Sequence, residues 1–159
     1  MKSIYYIAYG SNLNLGKFIE RCPSAKLLGT SLLLNKSLVF KGDDEEYSYL
    51  TLEEELGSAV PVAIFELSYF DSIRLDKYEG YPMLYSKEWI DLDLAGNSIR
   101  AMIYIMRPRY NYYLPSLPYF NSCLRGYDYF GFDKKLLIDA VKRTINYVSN
   151  NDDKKSRNW

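Results

Sequence analysis

The first apolar segment, Ile4 to Tyr9, is rich in β-branched and aromatic residues and stops at Gly10-Ser11-Asn12. It predicts a strand, then a turn with a side chain able to cap a short helix that runs to about Arg21. Leu27 to Phe40 is a long apolar stretch with polar interruptions, read as one or two strands, and Gly42-Asp43-Asp44-Glu45-Glu46 closes it in a solvated turn. Ser48 to Glu53 and Ala59 to Leu67 read as two further strands, the second apolar on both faces and so covered on both sides. Ser68, with Asp71 three residues on, opens a helix carrying Ile73, Leu75 and Tyr78 that must stop at Gly80 and Pro82. Tyr85 to Leu94 and Ser98 to Met106 form a hairpin around Ala95-Gly96-Asn97, since Ile90, Leu92 and Leu94 alternate with Asp91 and Asp93. After Pro108 the chain is loop-like and tyrosine-rich through Tyr113, and Pro115-Ser116 then begins a helical region ending near Gly131. Asp133 caps a last helix that puts Leu137, Val141, Ile145 and Val148 on one face. Strands and helices thus mix with no repeat and no long linker, which predicts an α+β chain with residues 1–149 as one domain and the polar residues 150–159 as a flexible, frayed tail.

Charge narrows the function before any motif does. The 159 residues are 48% hydrophobic, enough for one core, and 20 Lys and Arg balance 20 Asp and Glu. A neutral chain has no field with which to hold a phosphate backbone or an anionic membrane, so neither nucleic acid nor a membrane is expected as a partner. MKSIYYIAYGSN lacks the length and small-residue exit of a signal peptide, and no segment approaches the roughly 20 apolar residues of a membrane span. Cys22 and Cys123 are too few and too far apart for a disulfide framework, so a soluble protein in the reducing cytoplasm is expected. The sequence contains no histidine, which removes histidine-based triads and most catalytic zinc sites. Proton transfer then falls to carboxylates, tyrosines or lysines, and no metal site is expected.

Among the carboxylates, Glu79 holds an unusual position. A helix C-terminus carries partial negative charge and disfavours an ionised carboxylate. Burial of that helix end among Tyr78, Tyr81 and Tyr85 would push the Glu79 pKa toward the range useful for moving protons; a solvated helix end is the simpler alternative. Tyr9-Gly10-Ser11-Asn12-Leu13 is a strand breaking into a glycine turn, where successive N–H groups can receive an oxyanion, although a plain turn would have the same sequence. Pro115-Ser116 with Tyr119, then Gly126 and Gly131, could line a pocket or serve as core.

Together these segments resemble the gamma-glutamylcyclotransferase family, over most of the chain. The residues that carry the likeness are Tyr9-Gly10-Ser11-Asn12-Leu13, Arg21-Cys22-Pro23, and Leu75-Asp76-Lys77-Tyr78-Glu79-Gly80-Tyr81-Pro82, followed by Tyr85 and by Pro115-Ser116 with Tyr119 and Gly126. Gly126 to Phe132 is bulkier than in the animal enzymes and looks more like bacterial members. The resemblance implies a small, mixed, barrel-like sheet with surrounding helices. It also implies a cofactor-independent enzyme of glutathione-type metabolism that converts a gamma-glutamyl amino acid or amine to 5-oxoproline and the free amine. Glu79 is then the acid/base, while Tyr9, Gly10, Ser11, Asn12, Leu13, Tyr85 and Tyr119 bind the small-molecule substrate. The alternatives are a non-catalytic binder of such molecules, or removal of a gamma-glutamyl protecting group within a biosynthetic pathway.

Overall fold

The computed structural model describes residues 2–157. Six strands form one mixed sheet in the order β4-β5-β1-β3-β2-β6. The strands are β1 (Ile4–Ala8), β2 (Lys26–Gly42), β3 (Ser48–Leu67), β4 (Tyr85–Leu94), β5 (Asn97–Met106) and β6 (Asn111–Tyr112). Among the described residues a 3-10 turn (Ser11–Leu13) and the helices α1 (Leu15–Arg21), α2 (Tyr69–Tyr78), α3 (Leu117–Phe130) and α4 (Lys135–Ser156) join these strands. β1 lies inside the sheet, antiparallel to β3 from Ile4↔Leu67 to Ala8↔Ala63 and parallel to β5 at Tyr6↔Met102. Its inner position explains why Ile7 and Ala8 are wholly buried. The sheet curls into a half-barrel: β2 and β4 are far apart in strand order, yet the Ser31 hydroxyl on β2 donates to the Asp93 carbonyl on β4 at 2.5 Å.

Three elements differ from the pattern-based expectation. Ser48 to Glu53 and Ala59 to Leu67 are one continuous strand, because β3 keeps pairing with β2 through the polar stretch, as at Lys36↔Glu54, with a register shift beside it. Apolar periodicity lapses there because Glu54, Glu55 and Leu56 are exposed at the far end of the β2–β3 ribbon, but backbone pairing does not need an apolar side chain. The buried face of α4 holds Leu137, Ala140 and Thr144, while Ile145 is exposed. Thr144 is legal in the core because its hydroxyl accepts from the Phe40 N–H at 3.1 Å and donates to the Ala140 carbonyl at 2.8 Å. The polar tail expected from Asn150 is exposed helix as far as Ser156, while residues 158 and 159 lie outside the described residues.

Parallel pairing of β1 and β5 sends both strands toward the same end of the sheet. There the turn after β1 meets the end of β5, and the Tyr9 hydroxyl donates to the Tyr104 carbonyl at 2.7 Å. Helix α3 backs this turn: the Tyr127 hydroxyl donates to the Tyr9 carbonyl at 3.3 Å and Asn14 Nδ2 donates to Ser122 Oγ at 3.2 Å. Gly126 lets the two backbones touch, since a Cβ there would lie 2.6 Å from the Leu13 carbonyl carbon and 2.8 Å from the Asn14 nitrogen.

Candidate active site

Glu79 closes α2. The Ser68 hydroxyl opens that helix by accepting from the Asp71 N–H at 3.1 Å, and the buried Asp71 carboxylate ties it to the α1–β2 loop by accepting from the Ser24 N–H at 2.9 Å. At the other end Gly80 takes a left-handed φ of 65°, and the Gly80 and Tyr81 N–H groups donate back to the Lys77 and Asp76 carbonyls at 3.3 and 2.9 Å. That double closure satisfies the last carbonyls and fixes the point at which Glu79 leaves the helix.

The Glu79 side chain turns toward the chain segment after β1. Asn12 Nδ2 donates to Glu79 Oε1 at 2.8 Å and to the Tyr6 hydroxyl at 2.8 Å, and Asn12 Oδ1 accepts from Arg21 Nη1 at 2.9 Å. Burial of the carboxyl group raises its pKa from 4.5 to about 7; the Asn12 bond and the Arg21 charge act in the opposite direction and only reduce the rise. The sequence argument invoked the helix end as well as burial, and burial is the main cause.

Glu79 lines a two-lobed cleft. The first lobe, of about 30 Å³, has Gly10, Ser11 and Asn12 in its wall with Tyr6, Tyr9, Leu50, Tyr85, Tyr104 and Tyr119. The second, of about 160 Å³, shares Ser11, Glu79, Tyr85 and Tyr119 and adds Tyr49, Tyr78, Gly80 and Leu84. The 3-10 turn uses the Leu13 and Asn14 N–H groups for its own bonds to Gly10 and Ser11, both at 3.0 Å. Among the described residues, the Gly10, Ser11 and Asn12 N–H groups have no protein acceptor, and these three residues line the first lobe.

The sequence pattern of the family described as gamma-glutamyl cyclotransferase, AIG2-like matches residues 6–120, which include both segments just described. The chain belongs to this family. No curated protein gives a significant match. Among solved structures, one described as a gamma-glutamyl cyclotransferase superposes with a TM-score of 0.73 at 21% identity, covering 87% of this chain and 86% of that one. A human protein described as uncharacterized gives 0.73 at 21% identity over 88% of this chain and 87% of its own. YkqA from Bacillus subtilis gives 0.72 at 19% identity over 92% of this chain and 55% of its own. At such identities the structural likeness establishes the cyclotransferase fold, with its curled mixed sheet and four helices.

Of the residues singled out in the sequence, Tyr9, Gly10, Ser11, Asn12, Glu79, Tyr85 and Tyr119 all line the cleft. Leu13 does not: it is fully buried, and its main chain is the surface on which Gly126 packs. Asn12 enters through its side chain as well as its N–H, and it does not cap the following helix, whose N-cap position, Asn14, makes no side-chain cap bond. The Tyr85 and Tyr119 hydroxyls are committed to β3, one donating to the Leu50 carbonyl at 2.7 Å and the other accepting from the Leu50 N–H at 2.9 Å. They shape the wall more than they offer bonds to a ligand. Tyr6, Leu50 and Tyr104 also line the first lobe and had not been singled out. The signal for Tyr6 was available, since a phenol buried in an inner strand needs a polar partner, which here is Asn12.

The Cys22 and Cys123 thiols are buried and pushed up to about 12, so neither is a nucleophile at neutral pH. Among the described residues no three metal-ligating side chains cluster, and no helix is long and apolar enough to cross a membrane.

Proposed function

We propose that this chain converts a gamma-glutamyl amine or amino acid to 5-oxoproline and the free amine, with Glu79 as the single acid/base. The observation that carries it is a buried carboxyl group with a pKa near neutrality, sharing one cleft with three N–H groups that have no protein partner. Glu79 takes a proton from the substrate's alpha-ammonium group, and the freed amine attacks the gamma-carbonyl carbon. The new C–N bond closes a five-membered ring, and the carbonyl oxygen becomes an oxyanion facing the Gly10, Ser11 and Asn12 N–H groups. As the carbonyl reforms, Glu79 gives that proton to the departing nitrogen and the original amide C–N bond breaks; Glu79 then takes the second proton from the ring nitrogen and passes it to the free amine, which leaves as an ammonium ion. Nucleophile and electrophile belong to one molecule, so a cleft that holds the glutamyl chain folded supplies much of the rate.

The second lobe takes the leaving amine. Its wall of Tyr49, Tyr78, Leu84, Tyr85 and Tyr119 contains no lysine or arginine, which favours an amine with an apolar body over one bearing a carboxylate. Incubation of the purified protein with a panel of gamma-glutamyl compounds, read by mass spectrometry, tests the proposal. Equal amounts of 5-oxoproline and amine support it; glutamate in place of 5-oxoproline, or ligand binding with no product, would overturn it.

A further inference from the structure

Arg21 lines neither lobe of the cleft, yet it governs a residue that does. It ends α1, half-buried, with its guanidinium carbon 3.6 Å from the centre of the Tyr78 ring and Nη1 on Asn12 Oδ1. An arginine can only donate, and an asparagine amide has one accepting and one donating end. The end facing Arg21 must therefore be the oxygen, which forces Nδ2 toward Glu79 and Tyr6. We propose that Arg21 is a positioning residue that locks the Asn12 amide with its donor toward Glu79, keeping Glu79 in the proton-accepting form; this role rests on the base function proposed above.

The groups facing Glu79 make the lock decisive. Tyr6 and Tyr9 from the first strand and its turn, Tyr78 from α2, Tyr85 from β4, Tyr104 from β5, and Tyr119 from α3 are all pushed upward by burial, as is Cys22 after α1. All are neutral near pH 7. Asp76 lies beyond Tyr104 and is paired with Lys87 at 2.7 Å. Without Arg21 the Asn12 amide is free to turn over and present Oδ1, which accepts from a protonated carboxyl. Glu79 would then rest as an acid, the wrong form to receive a proton from an ammonium group.

The test is a carbon-13 NMR titration of the Glu79 carboxyl in the substrate-free protein, assigned with Glu79→Gln. The expected wild-type midpoint is about 7. Arg21→Met and Arg21→Ala should raise it by about one pH unit, while Arg21→Lys, which keeps the donor, should restore most of the difference. In an Asn12→Leu background, adding Arg21→Met should raise it by distinctly less, because only the direct effect of the Arg21 charge is then left to lose. A folded Arg21 truncation with the wild-type midpoint would overturn the proposal, as would an undiminished Arg21 effect without Asn12. Failure of both truncations to fold while Arg21→Lys folds would also overturn it, by placing Arg21 in the fold alone. Since no substrate is present, loss of the cyclisation reading leaves this result intact, and an active enzyme with an unmoved midpoint would remove only the role of Arg21.

Discussion

Asn12 Nδ2 lies 2.8 Å from Glu79 Oε1, joining two turns that are 67 positions apart in sequence. Each turn is built locally, one by the end of β1 at Gly10, the other by the left-handed Gly80. The sheet brings them together, with β1 held between β3 and β5 and α2 following directly on β3. The bond is a consequence of topology, and it holds the carboxyl group where the unpartnered amides also lie.

Burying Glu79 should cost stability in a definite pH window. Its carboxyl has a pKa of about 7 in the fold against 4.5 as the reference, so between these values the folded protein retains a proton that the unfolded chain loses. Stability contributed by the neutral acid is thus present at low pH and lost as pH rises toward 7. Glu79→Gln should unfold later than wild type at about pH 8, by on the order of 2 kcal/mol, and the two should converge at about pH 4. Thermal melts at both values check it; a Glu79→Gln protein less stable at the higher pH would count against burial of the charge.

Gly126→Ala should damage stability and activity together. The added Cβ meets main-chain atoms of Leu13 and Asn14, which cannot step aside as a flexible side chain would. A loss of about 1–3 kcal/mol in chemical denaturation, with slower product release, is expected. Wild-type values for both would mean that α3 does not hold the turn.

Ser11→Ala should slow turnover only a few-fold, because the turn acts through its N–H groups and not its hydroxyl. Product formation under saturating substrate is the measurement. A fall to the level of Glu79→Gln in a folded protein would assign the oxyanion contact to the side chain.

Competing substrates probe the second lobe. A gamma-glutamyl amine with an apolar body should exceed a gamma-glutamyl amino acid in kcat/KM by about 10-fold or more, since the wall around Tyr49, Tyr78 and Leu84 offers a carboxylate no cation. Leu84→Lys should narrow that ratio. An unchanged ratio would place the leaving group elsewhere.

What could be read from the sequence were the features made by neighbours along the chain. Ser68 and Gly80 delimit α2, Ala95-Gly96-Asn97 turns the β4–β5 hairpin, and Gly10 breaks β1, each by a local conformational demand. Glu79 stood out because helix ends disfavour its charge. Other parts of the cleft did not stand out, for they arrive by tertiary routes. Tyr104 comes with the parallel β1–β5 pairing, Leu50 with β3, and Arg21 meets the Asn12 amide from the end of α1. Spacing within a single sequence carries no signal for such contacts. The place of Leu13 was hidden for the same reason: which residue of a turn faces a cleft depends on what packs behind it, and here that is Gly126.

The most direct test of Glu79 as the base is 5-oxoproline release by Glu79→Gln, with ligand affinity measured by calorimetry on the same preparation. The expected result is a loss of about 10²–10⁴-fold in kcat with affinity held within a few-fold. Turnover at the wild-type rate would contradict it.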